Sequence, residues 1–182
     1  MRVVVAVTAA SGAIYARQCV ELLLASGSVE RIALIYSREA EAVAKSEGVV
    51  IPEDSRIELF QNDDMWASPA SGSARWDSML IVPSTMGTIG RIASGVSQSL
   101  IERSADVMLK ERRRLVIVAR EAPYSLIHLR NMTALTEAGA IIIPASPSFY
   151  FCPQSVEELC LTISERAVEL AGISVLRREW GN

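Results

Sequence analysis

The run Val3-Val-Val-Ala-Val7, followed at once by Thr8-Ala-Ala-Ser-Gly12, decides how the rest of the chain is read. Five consecutive apolar residues, four of them valine, suit a strand buried on both faces, as in a parallel sheet. The small and hydroxyl-bearing residues after it form a tight turn. Ile14, Cys19, Leu22 and Leu23 then fall at helical spacing, predicting a helix over 13–25. A second apolar run, Arg31-Ile-Ala-Leu-Ile-Tyr36, supplies the next strand and completes a β-α-β unit.

The alternation continues to the end. Ser37 is expected to cap a helix reaching residue 45. A weaker strand follows over 56–60, then a polar loop over 61–73 with Pro69 and Gly72, read as functional. The next strand, 78–82, is expected to end at Pro83-Ser84-Thr85. Helices over 86–93 and 97–110 lead to a strand at 114–119, a helix at 126–137 and a strand at 140–143. A last helix, 156–171, is expected to be capped by Ser155 with Glu158 in the capping-box position. Strands alternating with helices predict an α/β fold: a single Rossmann-like (flavodoxin-like), doubly wound, mostly parallel sheet with helices on both faces. No repeat, low-complexity tract or linker divides the chain, so residues 1–182 are expected to form one domain.

Composition agrees. In a chain of 182 residues, half are hydrophobic but only 5% aromatic, so the core is built of Ala, Val, Leu and Ile. A chain this long buries roughly 70% of its unfolded surface without disulfides or metals. Net charge is −3 with the two signs interspersed, which argues against a nucleic-acid partner. The basic run at 110–114 reads as a solvated helix end, with Lys110 considered separately. Cys19, Cys152 and Cys160 have no C-x-x-C spacing, so neither a disulfide framework nor a metal site is expected. The apolar run at 3–7 is too short for a signal peptide and nothing approaches a membrane span, so a cytoplasmic protein with no membrane partner is expected.

In sheets of this kind ligands bind beyond the carboxyl ends of the strands. Those ends carry residues 8–12, Ser37, residues 83–88, Arg120-Glu121-Ala-Pro123 and residues 144–153. Hydroxyls, helix N-termini and one arginine suit a phosphate-bearing ligand, although each loop alone also reads as a turn or cap. The first turn is not G-x-G-x-x-G, and Ser37 stands where a dinucleotide site has its acidic residue. A mononucleotide such as FMN therefore fits better. Neither G-x-S-x-G nor G-x-x-x-x-G-K-[ST] occurs. The only histidine, His128, lies in an apolar-periodic helix and reads as structural. Acid–base chemistry then falls to carboxylates, Lys110 or a substrate phosphate. Glu47, after a helix end, and Glu121, after a strand, are candidates that read equally well as surface residues.

Taken together, these loops resemble a known family. Thr8-Ala-Ala-Ser-Gly-Ala-Ile-Tyr15 is similar to the first-turn (S/T)-G-A-S-G-A-x-Y motif of the UbiX-type flavin prenyltransferases, the UbiX/Pad family formerly described as aromatic acid decarboxylases. Ser71-Gly-Ser73 matches as well. Arg103-Ser-Ala-Asp-Val-Met-Leu-Lys-Glu-Arg-Arg113 resembles R-A-A-D-V-x-L-K-E-R-R, and Arg120-Glu-Ala-Pro123 with Ile127-His-Leu129 resembles R-E-x-P…I-H-L. Pro147-Ser-Phe-Tyr150 with Pro153-Gln-Ser155 is similar to P-x-F-Y-x-x-P-(Q/E)-(S/T), and Arg178-Glu-Trp180 to the family's R-x-W ending. The resemblance runs through essentially the whole chain in order.

It implies a single flavoprotein domain in a homododecamer, with FMN at subunit interfaces. It implies transfer of a dimethylallyl group from dimethylallyl phosphate to N5 and C6 of reduced FMN, without a metal. The product, prenylated FMN, would serve UbiD-type decarboxylases. By the same resemblance Ala9, Ala10, Ser11, Ser37, Ser84, Thr85, Met86, Gly87, Thr88 and Arg120 form the FMN site. Ser11, Glu47, Lys110, Glu121, Tyr150 and Arg166 are the catalytic set. Lys110, Tyr150 and Arg166 hold the prenyl phosphate, and Trp180 closes over the prenyl chain.

There are departures. Ala9 replaces the motif's first glycine, which matters if that position has positive φ. Residues 84–88 stand where C-S-x-x-T is usual, keeping two hydroxyls, and Phe151-Cys152 replaces H-x. Two other functions share the fold. One is an FMN-dependent cysteine-type decarboxylase, whose P-A-S-A-N-T motif Pro69-Ala-Ser-Gly-Ser73 faintly resembles but whose early histidine is missing here. The other is a non-catalytic carrier of FMN or prenyl-FMN, which would need none of Glu47, Lys110, Glu121 and Arg166.

Overall fold

The computed structural model describes residues 1–175. Six strands, β1 (Arg2–Val7), β2 (Arg31–Tyr36), β3 (Ile57–Phe60), β4 (Ser78–Ser84), β5 (Arg114–Ala119) and β6 (Ile141–Pro144), form one sheet in the order β3-β2-β1-β4-β5-β6. Every pairing is parallel. The helices are α1 (Ala13–Ala25), α2 (Ala40–Ser46), α3 (Met86–Ala93), α4 (Leu100–Lys110), α5 (Leu126–Glu137) and α6 (Val156–Leu170). This is the doubly wound, flavodoxin-like α/β architecture expected from the sequence.

Each central strand is apolar along its middle because both of its faces are covered. Val3, Val5 and Val7 of β1 point into one layer, with Ala16, Cys19, Val20 and Leu23 of α1 and Ile163, Ala167 and Val168 of α6. Val4 and Ala6 point into the other, with Ile89 of α3, Leu100, Ala105 and Met108 of α4, and the fully buried Trp76. Alternation of side chains along a strand feeds both layers from one run of valines. Cys19 shows how dry the first layer is: burial pushes its thiol up to about 12, only partly offset by Ser164.

Strand order reverses between β1 and β4, which are neighbours although two strands separate them in sequence. The crevice beyond their carboxyl ends, where residues 8–12 meet residues 84–88, is the place such sheets use for ligands.

Several local expectations change. Ser37 does not cap α2: its amide donates to the Val7 carbonyl (2.9 Å), its carbonyl accepts from Ala40 N–H (3.0 Å), and Glu39 takes the cap position without a side-chain bond. Pro83 does not end β4. The strand runs through it, across a cis Val82–Pro83 bond, and the ladder to β5 shifts between Ile81 and Ser84, where proline offers no N–H. Helix α4 starts at Leu100, not 97, because Ser99 and Glu102 close a capping box there. Ser155 does cap α6, but the Glu158 carboxylate accepts from Gln154 N–H (2.7 Å) instead of closing a box.

Residues 110–114 are not simply a solvated helix end. Arg113 donates to the carbonyls of Trp76 (3.1 Å) and Gly72 (2.9 Å), and Arg103 of the same helix donates to Ala70 (3.0 Å). Together they pin the loop read as functional, which folds into two single 3-10 turns, Ser68–Ala70 and Gly72–Ala74.

Candidate functional site

The first turn ends at Gly12, whose φ of 102° places it in the left-handed region and whose own side chain offers no cap to α1. The cap comes from Glu47, just past the end of α2. Its Oε2 accepts from Ala13 N–H (2.7 Å) and its Oε1 from Gly12 N–H (2.9 Å). A carboxylate thus sits on the positive end of α1. Burial works against its charge, but the Ser11 hydroxyl, the Gly12 and Ala13 amides and the nearby Arg120 guanidinium outweigh that and hold the Glu47 carboxyl below its usual range. Three sequence-predicted residues, Ser11, Glu47 and Arg120, are therefore brought together from the ends of β1, α2 and β5.

Ala9 and Ala10 both lie outside the left-handed region, since the positive-φ residues other than glycine are Arg75, Arg112 and Cys152 among the described residues. Alanine at the motif's first glycine position carries no backbone strain. Glycine is required three residues on, at Gly12.

The second half of the site is tied to the first by Thr8. Its buried hydroxyl donates to the Pro83 carbonyl (2.9 Å) and accepts from Thr85 N–H (2.8 Å). Thr85 then caps α3, its Oγ1 accepting from Thr88 N–H (3.2 Å) and lying 3.0 Å from Thr88 Oγ1. Ser84 and Met86 are buried beside them, while a side chain at Gly87 would meet only side-chain atoms, the nearest 3.4 Å away. Ser37, beyond β2, lines a cleft of about 470 Å³ with Tyr36, Phe60, Asn62 and Ser99.

Other predicted residues are placed elsewhere. Glu121 accepts from Ala122 N–H (3.0 Å) just beyond β5. Tyr150 lies in the loop after β6 with its side chain 72% exposed. Lys110 ends α4, paired with Glu111 (2.6 Å), at the end of the sheet where β5 begins. About 20 Å of strand separates that end from Arg120. Arg166 pairs with Glu169 (2.7 Å) on α6, about 15 Å along the axis from the helix start. One chain therefore does not unite Lys110 and Arg166 with Ser11 and Glu47. Trp180 lies outside the described residues.

His128 is the third residue of α5. Its amide donates to Ser125 Oγ (3.2 Å) and its Nδ1 accepts from Ser125 N–H (3.2 Å), a capping role in keeping with a structural residue. Among the described residues no group of three or more His, Cys, Asp or Glu is placed to hold a metal, and no helix is long and apolar enough to cross a membrane.

Two contributors were not foreseen. The Thr8 hydroxyl joins the two loops, and Arg91 of α3 reaches Thr88 Oγ1 (3.3 Å) while pairing with Glu102. Only the spacing Ser99-x-x-Glu102 hinted at the latter, as a helix start.

Residues 1–169 match the flavoprotein family model. The chain is 37% identical to the flavin prenyltransferase UbiX of Methanocaldococcus jannaschii, with 100% of this chain and 99% of that protein covered. Its fold is similar to that of AnUbiX (PadA1), solved in complex with FMN and dimethylallyl pyrophosphate, with a TM-score of 0.87, 44% identity, and 93% and 91% of the two chains covered. It is also similar to a dodecameric FMN-dependent UbiX-like decarboxylase from Escherichia coli O157:H7, with a TM-score of 0.91, 32% identity and both chains covered in full (100%).

Proposed function

We propose that this chain, which belongs to the flavoprotein family and within it to the UbiX-type flavin prenyltransferases, joins a dimethylallyl group from dimethylallyl phosphate to N5 and C6 of reduced FMN. The observation that carries the reading is the charged Glu47 carboxylate fastened to the α1 N-terminus, near Ser11 and within the field of Arg120, on a first turn that Thr8 ties to the loop of the Thr85–Thr88 hydroxyl pair.

The donor set fits FMN. Of the two helix N-termini at the crevice, that of α1 is filled by Glu47, whereas α3 still presents first-turn N–H groups and two hydroxyls. The flavin phosphate therefore belongs at residues 84–88, with Ser37 and Arg120 completing the site and Ala9, Ala10 and Ser11 along the ring's reactive edge. The Ser11 hydroxyl, near the Glu47 carboxylate, can turn an acceptor lone pair to the N5–H that a reduced flavin carries and an oxidised one lacks. When bound, reduced FMN supplies the nucleophilic ring atoms.

The chain's own residues manage the leaving group. Departure of an allylic phosphate needs cations and hydrogen-bond donors around the developing anion, the task of Lys110, Arg166 and Tyr150 with Glu121. The released phosphate takes the proton lost on ring closure, so no histidine base is needed. Because Lys110 and Arg166 lie away from Ser11 in one chain, they join the site from neighbouring copies. That supports a homododecamer with FMN at the subunit interfaces. Prenylated FMN then passes to a UbiD-type decarboxylase in the cytoplasm.

His128 engaged as a cap speaks against the cysteine-type decarboxylase, since no other histidine exists. The deciding experiment is anaerobic: purified protein with reduced FMN and dimethylallyl monophosphate, then the diphosphate, and the mass of the released flavin. A gain of one dimethylallyl unit beyond one equivalent per site supports the transferase and names its donor. Bound, unmodified FMN with both donors turns the reading to a carrier or decarboxylase.

A further inference from the structure

Glu102 is the one fully buried charged side chain among the described residues, at 4% exposure. A carboxylate out of water persists only where its oxygens are engaged. Here Oε2 accepts the amides of Gln98 (2.9 Å) and Ser99 (3.1 Å), and Oε1 takes Nε of Arg91. The capping box alone would need one oxygen and tolerate an exposed residue. The buried pairing with Arg91 goes beyond a helix start.

Arg91 is held by one prong and free to aim the others. Side chains on a helix lean toward its N-terminus, so Arg91 reaches back one turn along α3. One terminal nitrogen donates to Thr88 Oγ1 (3.3 Å), and the other lies 3.4 Å from where a Gly87 Cβ would stand. Thr88 Oγ1 in turn pairs with Thr85 Oγ1, which already accepts from Thr88 N–H. Two hydroxyls carry two protons, and one is used between them. The other points out of the pair as a donor, polarised by the cation behind it.

We propose that Arg91 is a positioning residue of the flavin site: acting through Thr88, it sets the hydroxyl pair that meets the flavin phosphate, and Glu102 fixes Arg91 in turn. The inference rests on the reading that residues 84–88 receive that phosphate. The rival is a purely structural tether between α3 and α4, and the two differ in what they do to a flavin that lacks phosphate.

The test is equilibrium titration of FMN and of riboflavin into the intact oligomer of the wild type and of Arg91→Met, Arg91→Lys, Thr88→Val and the Arg91→Met/Thr88→Val double variant, with a thermal melt of each. Arg91→Met is expected to weaken FMN about tenfold and riboflavin by less than about twofold. Arg91→Lys recovers only part of the loss, because an ammonium cannot span Glu102 and Thr88 as a fork does. The double variant binds FMN no more weakly than Thr88→Val alone. Equal weakening of both flavins, no weakening of FMN, or additive losses in the double variant overturns the proposal. If Arg91→Met does not fold, Glu102→Gln takes its place, and a loss confined to FMN is again required. A wild type that binds neither flavin removes the functional reading itself, and this inference with it.

Discussion

Glu47 Oε2 lies 2.7 Å from the amide nitrogen of Ala13, so a side chain from beyond α2 closes the N-terminus of α1, 34 residues earlier in the chain. The anion-accepting end of the first helix is satisfied from within. That contact fixes a negative charge beside Ser11 before any ligand arrives.

Replacing Glu47 by Gln keeps the shape and removes the charge. Glu47→Gln is expected to bind FMN normally, because the proposed phosphate site at residues 84–88 is elsewhere, while prenylation falls about a hundredfold or more. Flavin titration beside an anaerobic prenylation assay checks this, and unchanged prenylation would take Glu47 out of the mechanism.

Acid should act through the same residue. The native pKa of Glu47 lies below its ordinary 4.5, so the unfolded chain binds that proton more readily than the folded one. Its contribution to stability is complete above the ordinary value and is lost as pH falls through the depressed native one. Urea unfolding from neutral pH down to about pH 3 should show the gap between wild type and Glu47→Gln constant above about pH 5 and shrinking below it. A gap that does not change with pH would deny the ionic role.

The first turn needs one glycine, not two. At Gly12 a Cβ would sit 2.9 Å from the Tyr15 ring with φ at 102°, so Gly12→Ala should cost about 1–3 kcal/mol and misplace Glu47. At Ala9, by contrast, restoring the family's glycine should lose roughly 0.4–1 kcal/mol through the freer unfolded chain, with no gain in activity. Denaturant melts and turnover of both variants decide it; a faster Ala9→Gly enzyme would contradict this account.

If Lys110 serves a neighbour's site, defects should complement. Lys110→Ala and Glu47→Gln proteins are each expected to be inactive, yet co-expressed subunits should recover about a quarter of wild-type activity by random assortment. No recovery would place both residues in one chain's site.

The strands and α1 were legible because burial on both faces writes itself as unbroken apolar runs, and a 13-residue helix carries its own spacing. Ser37 was misread because a serine after a strand has two local uses, and only the bond from Ala40 N–H to its carbonyl distinguishes them. Glu47 and Lys110 were candidates on position and residue type, but their roles and Arg166 came only with the resemblance, since spacing leaves a surface glutamate and a site glutamate alike. The pairings that organise the site were out of reach. Thr8 meets Pro83 across 75 residues and Glu47 meets Gly12 across 35, and no periodicity records either. Gly87 was named only within the loop at 83–88; that Arg91 lies over it, four residues on, is recorded by no motif.

The carboxylate on α1 also bounds what the crevice admits. In a dinucleotide fold the N-terminus of the first helix receives the pyrophosphate; here that end is already taken by the Glu47 carboxylate. A two-phosphate, adenylated flavin would meet a resident anion at that helix end, which a one-phosphate flavin seated at residues 84–88 would not.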